Sequence, residues 1–172
     1  MSKRKYEILT EEEHQLVFDG KRRLHRIRAL RDITDDVTGK VMVKKGELGG
    51  YIQHEGNLSQ DESSWISGEA KAYGNARVSG SARLEDHAIL LGNARLYGDA
   101  RACEHACIME NVNVRGHVVV KGNAVIFGHR VDLFGDEVIG GNSRVHDYNV
   151  LSGKPSLQEM LRKEQKSKRK ST

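Results

Sequence analysis

His87 and His105 lie eighteen residues apart, with Glu69 eighteen before them and Asn123 eighteen after. Imidazoles in such a series, with a carboxylate among them, are the groups that supply a general base or hold a metal ion. If the chain is an enzyme, His87 or His105 is the expected base. His117 and His129 fall outside the series, so no three-histidine metal site is expected and no cofactor is implied. Two arginine pairs share the same interval: Arg77 with Arg95, and Arg83 with Arg101. Guanidinium groups grip phosphate through planar paired hydrogen bonds. Tyr97, two residues after Arg95, offers a ring on which a base can stack, and so does Trp65. Arg77, Arg95, Tyr97, Arg83 and Arg101 are therefore the candidate ligand-binding residues. Each series also has a plainer account. The histidines suit a row of exposed turn residues, and the arginines suit a solvated face paired with Glu85, Glu104 and Asp99.

What brings residues eighteen apart together is visible from Gly68 to Phe127. Ten consecutive hexads repeat there without a gap. Slot three is small, as in Ala70, Ala76, Ala82, Ala88, Ala94 and Ala100. Slot five is mostly aliphatic, as in Val78, Leu84, Leu90, Leu96, Ile108 and Ile126. Slots one and two are turn residues, most often Gly-Asn or Gly-Asp, which tolerate positive φ. Slots three and five point the same way along a short strand because strand side chains alternate. Three such sides close into a triangular coil, and coils stack about 4.8 Å apart. A single coil cannot bury its apolar side, so stability comes from stacking neighbours.

The frame also says what faces out. On the side that holds residues 68–73, 86–91, 104–109 and 122–127, the outward slots read Tyr73, Ile89, Leu91, Cys107, Met109, Val125 and Phe127 beside Lys71. Soluble monomers rarely leave such a patch bare. It is expected to be a self-association surface in a dimer or trimer. The competing account is a terminal segment folded over this side, for example the Leu157–Leu161 stripe.

The hexads resemble those of the hexapeptide-repeat proteins, whose coils wind as a left-handed parallel β-helix. Leu24–Leu30 (LHRIRAL) and Lys45–Ile52 (KGELGGYI), followed by the repeat, resemble a set of phage and bacterial proteins described as transferase-like. The resemblance implies an all-β, left-handed triangular prism of five to six coils. It admits two functions: a non-catalytic binding or scaffold protein, and an acyl-coenzyme A-dependent acyltransferase. The phage likeness further implies capture of a nucleotide-like ligand, or of a host protein, in evading host defences. Acyltransferases of this fold shape their pocket with a long projecting loop. The sequence between Gly50 and Ser152 offers one inserted residue, Gly128, which favours the binding reading.

The remaining chain frames the repeat. Residues 1–48 read as a small antiparallel β cap, with strand candidates at Tyr6–Ile8, Leu16–Phe18, Leu24–Leu30 and Val41–Val43 and a turn at Asp19-Gly20. Residues 49–153 are the repeat. Extended upstream, its frame puts Ile52, Leu58 and Ser64 in slot three and His54, Gln60 and Ile66 in slot five. Downstream it puts Glu137 in an interior slot. The column Asn57, Asn75, Asn93 and Asn111 is expected to support turns by local hydrogen bonds. Residues 154–172 read as a short α-helix begun by Pro155, then a basic tail. The net charge of +4 divides as +3 for residues 1–48, −4 for 49–152 and +5 for 153–172. The repeat body is thus acidic, which argues against a broad nucleic-acid surface. Cys103 and Cys107 show no disulfide framework. With no signal-peptide pattern and no apolar run long enough to span a bilayer, the expected place is the cytoplasm, away from membranes.

Overall fold

The hexads build a parallel β-solenoid of about five turns. The computed structural model describes residues 4–10, 15–16, 22–146 and 150–151. The C-terminal helix and tail expected over 154–172, Phe18, and the Asp19-Gly20 turn lie outside the described residues.

Each hexad gives a strand of two or three residues followed by a corner. The first wall stacks Lys71–Ala72, Ile89–Leu90, Cys107–Ile108, Val125–Phe127 and Arg144–His146. The second stacks Arg77–Val78, Arg95–Leu96, Val112–Val114, Val131–Leu133 and Val150–Leu151. The third stacks Trp65–Ile66, Arg83–Leu84, Arg101–Ala102, Val119–Val120 and Val138–Ile139. Slot-three alanines and slot-five aliphatics are buried together in one core along the column. Alanine at slot three lets the walls approach; Leu84, Leu90, Leu96 and Ile108 fill the middle at 0% exposure. Each such aliphatic side chain contributes about 1.5–3 kcal/mol by leaving water.

The corners need positive φ in slot one. Glycine supplies it at most of them, as at Gly98 (φ 65°), but Glu62, Asp86, Glu104 and Glu110 adopt it too. All four are acidic. Three of them use the carboxylate to accept the backbone N–H of the slot-one residue one coil on: Glu62 from Gly80 at 2.5 Å, Asp86 from Glu104 at 2.8 Å and Glu104 from Gly122 at 2.7 Å. A charge-assisted bond to that amide offsets the left-handed backbone cost of about 1–2 kcal/mol. Three of the four members of the asparagine column, Asn75, Asn93 and Asn111, differ from expectation. Asn75 Nδ2 donates to Asn93 Oδ1 at 3.1 Å, and Asn93 Nδ2 to Asn111 Oδ1 at 3.0 Å. These bonds run between coils rather than locally, because stacked corners place identical amides one rung apart. Asn57 keeps the expected role: its Oδ1 accepts the N–H groups of Gln53 and His54 in its own turn, and its fully buried Nδ2 also donates to the carbonyls of Gly74 and Ala76.

Downstream the frame holds. Register is eighteen residues at Cys107–Val125 and nineteen at Val112–Val131, Val119–Val138 and Val125–Arg144, so the extra residue sits at the Gly128 corner. Glu137 keeps the slot-three position, half-buried at the last described rung of the third wall. Upstream, Ser64 and Ile66 hold their expected slots, but the frame before them is wrong. Ile52 pairs Ala72 and Leu58 bridges Val78, both twenty residues on, so Ile52 and Leu58 occupy slot five rather than slot three. Ile66 pairs Leu84 at eighteen. Two additional residues therefore lie between Leu58 and Trp65, a second insertion that the sequence reading missed. His54 is not interior either: it is exposed and caps a short 3-10 turn, Glu55–Asn57.

Those added residues clasp the start of β1 (Tyr6–Ile8), which pairs antiparallel with β3 (Arg23–Ala29), as β2 (Gln15–Leu16) does in turn. Gln60 Oε1 accepts the N–H of Lys5 at 2.9 Å, and the Tyr6 hydroxyl donates to the Leu58 carbonyl at 2.7 Å. Lys5 is fully buried, its Nζ donating to the carbonyls of Asp61 and Ser64 and to Ser64 Oγ. β4 (Ile33–Thr34) and β5 (Val41–Val43) form a separate hairpin. β6 (Leu48–Ile52) pairs antiparallel with β3 on one side and parallel with Lys71–Ala72 on the other. The cap thus continues the first wall. Gly49 and Gly50 in β6 are required by close approach: a Cβ on Gly50 would lie 2.5 Å from the Ala70 carbonyl oxygen, and one on Gly49 2.6 Å from that of Ile66. Arg26 locks the join, donating to Tyr51 Oη, the Gly49 carbonyl and Glu69 Oε1 while lying 4.5 Å over the Tyr51 ring.

Candidate functional site

The two arginine ladders separate once their neighbours are known. On the second wall, Arg77 and Arg95 pair in register on adjacent rungs, both exposed. Arg77 reaches only the Gly56 carbonyl, at 3.4 Å. Arg95 has no ion pair or hydrogen bond to its side chain among the described residues. Rungs stand about 4.8 Å apart, so the two cations repel on the order of 1 kcal/mol even in water. Tyr97 lies half-buried on the rung of Arg95. One rung further Arg115 chelates Asp132, at 3.2 Å to each carboxylate oxygen, and lies 4.5 Å over Phe134.

The third wall is different. Arg101 is paired with Glu85. Burial holds the Arg83 guanidinium below its usual range, against the opposing pull of Glu85, Asp35 and Asp36. Arg101 is therefore occupied with its own chain, and Arg83 is half-buried among charges of its own chain. Of the expected counter-ions, Glu85 serves, whereas Glu104 is bonded to Gly122 N–H and Asp99 faces His117 at 3.8 Å. Sequence reasoning left Arg115 and Phe134 out of the candidate set. Their signal was the slot-six series Tyr97, Arg115, Phe134, which runs across the Gly128 insertion.

His87 and His105 come together as expected, stacked with ring centroids 5.0 Å apart and planes 7° apart. They line an open groove of about 510 Å³ with Gly68, Glu69, Asp86 and Glu104. The carboxylates there are engaged elsewhere: Glu69 by Arg26, Asp86 and Glu104 by backbone amides. No three or more His, Cys, Asp or Glu side chains among the described residues are arranged so that they could hold a metal ion. Burial raises the thiol pKa of both Cys103 and Cys107, so neither is a ready thiolate.

Of the expected self-association surface, Tyr73 is withdrawn. It is 8% exposed and packs with Leu24 and Tyr51 of its own chain, against Ile89 and Leu91. Part of the N-terminal segment thus does fold over this wall. Ile89, Leu91, Cys107, Met109, Val125 and Phe127 remain half-buried. No helix among the described residues is long and apolar enough to cross a membrane.

No protein-family model matches this sequence, and no curated protein matches it.

Proposed function

We propose that this chain is a non-catalytic binding protein whose rigid column offers the Arg77–Arg95–Tyr97 surface to a small anionic ligand of nucleotide type. One observation carries the reading: two exposed guanidiniums held in register on neighbouring rungs, neither paired to a carboxylate. A phosphate between them relieves their repulsion and accepts paired hydrogen bonds, and a base lies on Tyr97. The left-handed hexapeptide-repeat winding belongs to this proposal. So does homo-oligomeric assembly through the strip from Ile89 to Phe127, which closes the ligand surface at a subunit seam. In a phage-encoded protein the same surface sequesters a nucleotide signal of the host.

Titration calorimetry with ATP as probe tests it. Saturable binding is expected, lost in Arg95→Ala and retained in Arg101→Ala; binding that survives the double change Arg77→Ala, Arg95→Ala overturns it. The stacked His87–His105 pair in its groove supports a second reading, acyl transfer from coenzyme A. Turnover of acetyl-coenzyme A with an amine acceptor, abolished by His105→Ala, would replace the first reading with this one.

A further inference from the structure

Five large apolar side chains stand exposed among the described residues, and four lie between residues 37 and 48: Val37, Val41, Met42 and Leu48, with Val37 at 91%. The repeat walls contribute only Val138. β5 has β4 on one edge and no strand on the other among the described residues. Its register steps from Ile33–Val43 to Thr34–Val41, so Met42 is a bulged residue. A bulge re-aims a side chain and interrupts any ladder on the free edge, so recognition here is by side chains. The Lys44–Glu47 turn, closed by the Glu47 N–H on the Lys44 carbonyl at 3.0 Å, returns Leu48 toward the end of β5.

The charges around this surface are sorted. Asp32 and Glu47 accept the backbone N–H groups of Lys45 and Lys44. Asp35 accepts those of Val37 and Thr38, and Asp36 accepts the hydroxyls of Ser63 and Ser81. Every carboxylate of the hairpin and its following turn is thus turned onto its own chain. The ammonium groups of Lys40, Lys44 and Lys45 are exposed and have no partner among the described residues. The ammonium groups are thus the charged groups of this surface left free to meet a partner.

A second copy is the first occupant to consider, and the lysines exclude it. Antiparallel pairing of two β5 strands about Met42 sets each Lys40 opposite the other chain's Lys44, and parallel pairing sets like lysines side by side. Like charges so placed destabilise a strand pair, and edge lysines guard against self-pairing. We infer that the β5 face, centred on Met42 and bordered by Lys40, Lys44 and Lys45, is a docking surface for an acidic, apolar-anchored segment of a partner protein. Apolar anchors ringed by complementary charge are the ordinary anatomy of such contacts. The surface is separate from Arg77 and Arg95 and does not depend on the anion-binding proposal.

The test is fluorescence anisotropy of the full chain with a fluorescein-labelled peptide of alternating glutamate and leucine. Saturable binding is expected, weakened about tenfold or more by Met42→Asp or by Lys44→Glu with Lys45→Glu, weakened by added sodium chloride, and unchanged by Arg95→Ala. Val41→Thr, which keeps strand propensity, is expected to weaken it as well. The inference is overturned by absence of binding, by equal binding of the cap variants, or by equal binding of a lysine–leucine peptide. A light-scattering mass that halves in Met42→Asp would instead identify a second copy as the occupant and overturn it too.

Discussion

From Leu58 to its partner Val78 the chain runs twenty residues; from Val78 to Leu96 it runs eighteen. The longer path is filled with specific contacts: Gln60 on Lys5 and Tyr6, Tyr6 on Leu58, Lys5 on Asp61 and Ser64. The shorter path repeats one set of contacts at every rung. The first coil is held by bonds between residues about fifty apart in sequence, whereas the later coils are held by their nearest neighbours. A repeat that depends on neighbours tolerates exchange at any one rung. A join that depends on unique contacts does not.

The largest effect expected from this contrast is at Gly50. Gly50→Val drives a side chain into the Ala70 carbonyl and Ile66, and is expected to cost about 4 kcal/mol or more, read as a collapse of the urea midpoint. Leu90→Ala, in mid-column, is expected to cost about 3 kcal/mol through a cavity, with the same unfolding slope as the parent. Arg26→Met should cost about 2 kcal/mol by removing the guanidinium bonds to Tyr51, the Gly49 carbonyl and Glu69, and thermal scans would register it.

Lys5 gives the contrast a pH signature. Burial lowers its pKa to about 7, from an ordinary 10.5. Between those values the unfolded chain holds the proton that the folded chain has released, so stability rises with pH across that window. Below about 7 both states are protonated and the rise is absent. Urea midpoints should therefore climb from pH 7 to pH 10 more steeply in the parent than in Lys5→Met; parallel profiles would sink the assignment. The smallest effect is expected at a repeat corner. Gly98→Asp should cost within about 1 kcal/mol, since Asp86 and Glu104 already hold that backbone shape. If it costs more than Gly50→Val, the contrast between the regions is wrong.

The same contrast explains what the sequence made legible. Period-six spacing reports the walls, the core columns and the Gly128 insertion because each depends only on residues nearby in the chain. Ile52 and Leu58 were misplaced by two because the widened coil answers to Lys5 and Tyr6, far upstream, and spacing carries no trace of that. Arg95 and Arg101 look equivalent as letters; Glu85 decides which of them stays free. Tyr73 sits in an outward slot, yet Leu24 buries it from across the cap. Met42 and Val37 offered no repeat to read, so the most exposed apolar surface of the described chain had no advance signal.

One corner near the C-terminal end has a practical use. At Gly128 the path lengthens by a residue, all three walls beyond take up the new count together, and His129 and Arg130 project into solvent. The column therefore behaves as a ruler whose vertices accept splices without resetting its marks. Short reporter sequences inserted at chosen vertices would be displayed at multiples of a single rung, about 4.8 Å.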